Sequence, residues 1–259
     1  MRQAALTPDD LERFSRHILL KEIGGPGQQR LKAAHVAIVG LGGLGAPAAL
    51  YLVAAGVGKL TLIDDDGVSL SNLQRQILYR TDEVGQLKAF VGRDALSALN
   101  PAVKIKPVAV ELNQIKAERM LIGADVVVDG ADDFDTRFAV NVACHALGIP
   151  LVSGAVGRWD GQVGVFASGT TRDAPHDERL PCYRCFVPEA PPQAPNCSEV
   201  GVVGALTGVI GSMMALEAIK VITRAGETLA GRVFLFDGLK ADARTVRLKP
   251  DPACPVCAE

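Results

Sequence analysis

Short apolar runs alternate with stretches of helical periodicity along most of this chain. Residues 36–39, 60–63, 103–108, 126–129 and 151–153 read as strands, with helices at 44–56, 85–99, 114–122 and 135–147 between them. Strands that alternate with helices on this scale predict a parallel sheet covered on both faces. After Ser153 the rhythm changes. Residues 161–167, 232–236 and 245–248 are strand-like, and no helix of useful size separates the last two, so they read as an antiparallel extension of the same sheet. Upstream, residues 9–22 form an amphipathic pattern with Leu11, Phe14, Ile18 and Leu19 on one face. The run Gly24-Gly25-Pro26-Gly27 breaks that helix, and a short helix follows through Leu31. The expected fold class is α/β, a Rossmann-like, doubly wound, mainly parallel sheet with an antiparallel C-terminal extension.

One apolar stretch needs separate treatment. Residues 200–216 carry no charge, and Glu217 and Lys220 interrupt the apolar run beyond them. That length lies at the lower edge of a membrane span, roughly 17–25 residues. Its small residues (Gly201, Gly204, Thr207, Gly208, Gly211 and Ser212) suit close helix packing better than contact with lipid. The expectation is a core or interface helix and no membrane.

Composition narrows the class. A chain of 259 residues that is 48% hydrophobic has ample material for a packed core. A net charge of −2 gives no electrostatic footprint for nucleic acid. The first ten residues contain no apolar signal region, so a cytoplasmic location is expected. Six cysteines in that setting favour metal ligation or catalysis over disulfides.

The first chemistry-bearing motif follows the first strand. Gly40, Gly42 and Gly45, with Gly43 between them, have the G-x-G-x-x-G spacing of a turn that brings helix N-terminal amides against phosphate. Asp64, ending the second strand, is placed to accept ribose hydroxyls. The pair marks a nucleotide and leaves NAD, FAD and ATP open. The second motif is two C-x-x-C knuckles, Cys182/Cys185 and Cys254/Cys257. Together they predict a closed, structural tetrahedral zinc site that pins the C-terminal tail to the loop; two disulfides or a redox pair are the alternative.

Five motifs occur in order along the chain: GLGGLG; LIDDD; SNLQRQ at 71–76; GQLK at 85–88; and DGAD at 129–132. With the knuckles and the NCSEVGVVGALTGVIGS helix they cover nearly the whole chain, which resembles the MoeB/ThiF family, bacterial relatives of ubiquitin-activating enzymes. The resemblance implies ATP-dependent adenylation of the C-terminal glycine of a small ubiquitin-like sulfur-carrier protein ending in Gly-Gly. It implies one adenylation domain over 1–259: N-terminal helices (1–35), a nucleotide-binding half (36–168), a mobile crossover loop (169–198), then an interface helix, strands and the zinc tail (199–259). Arg75 and Lys88 would supply cations for the phosphates, with Asn72 and Gln76 beside them, and Asp132 would hold Mg²⁺. Arg16 matches an arginine that reaches the partner subunit's ATP site, which implies a homodimer. Cys197 is a candidate sulfur-transfer thiol or an idle one. Asp133 stands where relatives commonly carry Asn, adding negative charge beside the metal. The chain ends two residues after Cys257 without the rhodanese extension of some relatives, so a separate sulfur donor is expected. Relatives with these motifs serve molybdopterin, thiamine and cysteine synthesis and tRNA thiolation.

Two other classes compete. An NAD-dependent oxidoreductase accounts for the glycine turn and Asp64 but leaves Arg75, Lys88, Asp132 and the knuckles without use. A non-catalytic, partner-binding relative would have no need of Arg16, Asp64, Arg75, Lys88 and Asp132 together.

Overall fold

The computed structural model describes residues 4–191 and 201–258. Among them an eight-stranded sheet runs in the order β3-β2-β1-β4-β5-β6-β7-β8. Its parallel strands are β1 (His35–Val39), β2 (Lys59–Ile63), β3 (Lys104–Val108), β4 (Val126–Asp129) and β5 (Leu151–Val156). The antiparallel strands β6 (Asp160–Phe166), β7 (Arg232–Asp237) and β8 (Asp242–Arg247) extend it, as the change of rhythm after Ser153 predicts. β2 and β3 are laid down on one side of β1, and β4 and β5 on the other. The carboxyl ends of β1 and β4 therefore flank a topological switch point, where open α/β sheets bind ligands.

β1 and β4 are buried along their whole length, so their side chains divide between two cores. Val36 and Ile38 face one cluster while Ala37 and Val39 face the other, the period-two alternation of a strand covered on both sides. The first layer holds α3 (Gly24–Ala33), α4 (Gly45–Ala54), α5 (Lys88–Leu99) and α9 (Gly204–Thr223). The second holds α6 (Gln114–Leu121) and α7 (Phe134–Leu147). By length and composition α9 could cross a membrane. In the fold it packs on α3, α4, β5 and β6 and buries Leu206, Ile210, Met214, Ala218 and Ile222. Its small residues serve close approach, since a Cβ on Gly211 would lie 2.5 Å from the Leu44 carbonyl oxygen.

The N-terminal segment departs from the expected single helix. It forms α1 (Pro8–Arg13) and α2 (Ser15–Ile18), broken at Phe14. Phe14 is buried against Gly56, whose bare Cα makes room for the ring, while Leu11 and Leu19 are 51% and 76% exposed. One deep anchor, and not a continuous apolar stripe, sets this region. The Gly24-Gly25-Pro26-Gly27 run begins α3 where the sequence suggests only a break, because proline is tolerated in a first helical turn, where the amide lacks a partner anyway. Residues 169–191 of the expected loop include a short helix, α8 (Tyr183–Phe186), and bury Cys182 and Tyr183.

Ile210 is wholly buried, so Ile210→Ala is expected to lower the unfolding free energy by about 2–5 kcal/mol in urea melts with an unchanged m-value. A loss below about 1 kcal/mol would contradict α9 as a core helix.

Candidate nucleotide site

The site forms where the two loops of the switch point meet. Gly40 has φ +78°, and a Cβ there would sit 2.9 Å from the Gly130 carbonyl. A Cβ on Gly45 would lie 1.8 Å from the Gly40 oxygen, so this helix start excludes any side chain. The amides of Gly42, Gly43 and Leu44 donate to no acceptor among the described residues, at the open end of a ten-residue helix. That is an anion cradle by geometry and by dipole. The Leu41 amide is used differently: it donates to Asp64 Oδ2 at 2.6 Å, and Asp64 Oδ1 accepts from the Asp66 amide at 3.0 Å. Asp64 thus ties the second strand to the glycine turn while facing the open space on either side of it. Burial raises its pKa, with the Lys88 charge and these hydrogen bonds opposing.

Lys88 opens α5 and is buried, its Nζ donating to Asp66 Oδ2 at 2.7 Å. A buried cation at a helix start is electrostatically disfavoured unless a carboxylate or ligand answers it. Asp66 is that carboxylate. Arg75 is half-buried and donates to the Ser71 carbonyl at 3.1 Å. Gln76 is buried with Oε1 unpartnered, and its amide nitrogen would lie 3.5 Å from a Cβ on Gly42. Gly43 packs on Thr207 of α9.

These groups surround two adjoining cavities. One, of about 360 Å³, is lined by Gly42, Gly43, Arg75, Gln76, Lys88 and Arg137 among others. The second, of about 760 Å³, carries seven acidic residues, Asp64, Asp65, Asp66, Glu111, Asp132, Asp133 and Asp135, and one cation, Arg184. Gly40, Asp64, Asp66, Ala131 and Asp132 belong to both walls. Asp132 is exposed, and its carboxylate makes no hydrogen bond or ion pair among the described residues, which leaves its oxygens available to a ligand. Asp133 is already engaged: its Oδ1 accepts from the Thr136 amide at 2.7 Å as the N-cap of α7, a task asparagine performs equally well.

The remaining residues marked by the sequence divide. Asn72 lines neither cavity, although its carbonyl accepts from the Arg75 and Gln76 amides. Gly45 shapes the turn without lining a cavity. Arg16 is exposed on α2 and belongs to neither wall. Cys197 lies outside the described residues. Arg137 and Tyr183 carry no mark in the sequence, and their partners are too distant along the chain for any local pattern to show them. Arg137 is buried at the head of α7 and donates to Ser153 Oγ at 3.1 Å, to the Gly154 carbonyl at 2.9 Å and to the Ala131 carbonyl.

The four knuckle cysteines come together, with all Sγ atoms within 4.8 Å of one another. The closest cross-knuckle pairs, Cys182–Cys254 and Cys185–Cys257, are 3.5 and 3.3 Å apart, and no disulfide joins them. Zn–S bonds of about 2.3 Å in a tetrahedron need sulfurs slightly under 4 Å apart, so the cluster fits that metal. Contact among the thiols pulls Cys185 down in pKa and pushes Cys182 up, the response of a group that cannot all ionise without a cation. Tyr183 and Arg184, between the first two cysteines, reach one cavity each, and Pro255 and Val256 of the second knuckle also line the larger one.

Comparison with known proteins shows the family. A family model described as the ThiF family matches residues 14–256. A sulfur carrier protein adenylyltransferase of Thermus thermophilus is 46% identical over 98% of this chain and 93% of its own. A SAMP-activating enzyme E1 of Haloferax volcanii is 42% identical over 98% of this chain and 92% of its own. An adenylyltransferase and sulfurtransferase MOCS3 of Caenorhabditis briggsae is 43% identical, but this chain spans only 62% of that protein. Among solved structures, E. coli MccB with MccA-N7isoASN superposes with a TM-score of 0.82 at 23% identity, covering 96% of this chain and 75% of that one. That likeness bears on the fold. The glycine turn, the divided charge around it and the match over 14–256 converge, and the chain belongs to the ThiF family.

Proposed function

We propose that the protein is an adenylyltransferase that uses ATP to activate the C-terminal glycine of a ubiquitin-like sulfur-carrier protein. The observation that carries this reading is the division of charge across the two cavities. Open amides, Arg75 and Lys88 lie on one side of Asp64, and a carboxylate-rich space large enough for a nucleoside lies on the other. Phosphates belong with the cations, so ribose falls at Asp64 and the base in the larger cavity. A nicotinamide cofactor leaves the lysine and the open Asp132 carboxylate without use.

The chemistry follows from that placement. A carboxylate oxygen of the terminal glycine attacks the α-phosphorus, the bond to the β-phosphate oxygen breaks, and pyrophosphate leaves with its electrons. Negative charge grows on the α-phosphoryl oxygens and the leaving group, where Lys88, Arg75 and the Gly42–Leu44 amides stabilise it. Asp132 would hold Mg²⁺, which supplies further charge neutralisation at the phosphates. A third cavity, of about 550 Å³, lies against β5, β6 and β7 and shares Ala155, Val156 and Gln162 with the smaller nucleotide cavity. It supports entry of a diglycine tail across the antiparallel strands. The exposed Arg16 supports a homodimer in which it completes the partner's site. Zinc at Cys182, Cys185, Cys254 and Cys257 would fasten the C-terminal tail to the wall of the nucleotide cavity, and reduced thiols suit a cytoplasmic setting. A separate sulfur donor would then act on the acyl-adenylate.

ATP–pyrophosphate exchange with carriers ending in Gly-Gly tests the reading. Exchange should require the terminal glycine and fall at least about 100-fold in Asp132→Ala and in Lys88→Met. Absence of exchange with every such carrier, or full activity in Asp132→Ala, would sink it. Co-expression of Arg16→Ala with Asp132→Ala subunits should recover about a quarter of wild-type exchange, because half of the dimers are mixed and each has one complete site. No recovery would place Arg16 outside the partner's site. Removal of metal by a strong chelator should lower Tm by roughly 5 °C or more, and an unchanged Tm would count against a structural zinc.

A further inference from the structure

We infer that Arg137 is a positioning residue for the magnesium-binding carboxylate, acting by clamping the turn that carries Asp132; this rests on the proposed role of Asp132. The turn leaves the end of β4. Asp129, the last residue of that strand, is fully buried, and its Oδ1 accepts from the Ala131 amide at 3.0 Å. Its Oδ2 accepts from the hydroxyl of Ser153 at 2.8 Å, its register partner on β5. Arg137 enters from α7, with a guanidinium nitrogen 3.6 Å from Asp129 Oδ2. It donates to the Ser153 hydroxyl, to the Gly154 carbonyl and, from the other side of the turn, to the Ala131 carbonyl. The guanidinium charge also opposes the rise in pKa that burial gives the Tyr183 hydroxyl.

Ala131 is therefore held at both its amide and its carbonyl by one buried ion pair. On the other side of Asp132, the Asp133 carboxylate caps α7. The backbone of Asp132 is fixed before and after the residue, while its own side chain has no partner among the described residues. Such an arrangement serves a ligand-binding carboxylate: the metal meets oxygens already in place and does not have to order the turn. A buried Arg–Asp pair is a weak source of stability on its own, because desolvation offsets most of the attraction. What the pair orients explains why it is there. Groups that orient metal ligands typically change metal affinity about 10- to 100-fold when altered.

Binding of the fluorescent nucleotide mant-ATP, titrated with Mg²⁺, reads this directly and needs no carrier. Arg137→Lys keeps the charge but loses the planar fork that spans Ser153, Gly154 and Ala131. It is expected to raise the Mg²⁺ midpoint about tenfold or more, with wild-type binding restored at saturating Mg²⁺. Ser153→Ala removes only the bridging hydroxyl and should give a shift of a few-fold, so the inference stays testable if the arginine variant does not fold. Asp132→Ala should abolish the Mg²⁺ dependence. A folded Arg137→Lys or Ser153→Ala protein with lowered Tm and the wild-type Mg²⁺ midpoint would overturn the positioning role and leave Asp132 as the ligand. Wild-type Mg²⁺ dependence in Asp132→Ala would overturn both.

Discussion

Everything at this site depends on a contact between two stretches of backbone that have no side chains to keep them apart. Gly40 and Gly45 of the turn after β1 meet Gly130 of the turn after β4, with a Cβ on Gly130 falling 3.0 Å from the Gly45 nitrogen. The sheet order makes this approach available, because β1 and β4 are neighbours whose following chains depart in opposite directions. The glycines convert that topology into proximity. The open amides at 42–44 and the carboxylate of Asp132 then share a boundary. A side chain at any of the three positions would part the loops and separate those amides from that carboxylate.

From that contact the rest of the site is assembled by polar ties between elements. Asp64 links β2 to the glycine turn through Leu41, and Asp66 fixes Lys88. Tyr79 donates to the Leu41 carbonyl at 2.9 Å, and α9 supplies Thr207 against Gly43. Among the described residues these ties leave the amides of 42–44 and the carboxylate of Asp132 unengaged. The cysteine cluster extends the logic to the tail, since residues inside both knuckles line the nucleotide cavity.

Legibility in the sequence tracks distance along the chain. The glycine spacing, the acid after β2 and the paired cysteines are local patterns, and β1, β2, β4 and β5 stand out as mostly apolar runs, whereas the edge strand β3 alternates Lys104 and Lys106 with Ile105. The antiparallel extension is also readable, because it is marked by the missing helix between β7 and β8. Arg137 is not. Its partners include Asp129 and Ala131, at and just after the end of β4, and Ser153 and Gly154 on β5, and nothing in the local pattern separates it from a solvated arginine on an amphipathic helix. The N-terminal helix misleads for a related reason. Periodicity places Leu11 and Leu19 on the face of Phe14, but whether a face is buried depends on what lies opposite. Opposite this one there is room, at Gly56, for a single ring.

Under the proposed function, the electrostatics also favour one direction for ATP. The larger cavity carries seven carboxylates and one arginine, whereas the smaller one sets Arg75, Lys88, Arg137 and three open amides against the three carboxylates the two share, Asp64, Asp66 and Asp132. That balance favours a polyanion with one neutral end when its phosphates lie beside the cations. The α-phosphate is the phosphate nearest the nucleoside, so it falls at the boundary the two cavities share. Asp132 lies at that boundary, and the space against β5–β7 adjoins the smaller cavity beside it. The same asymmetry would thus present the α-phosphorus of ATP toward the route proposed for the carrier's terminus. Attack at the α-position, and not transfer of the γ-phosphate, is the outcome this arrangement of charge favours.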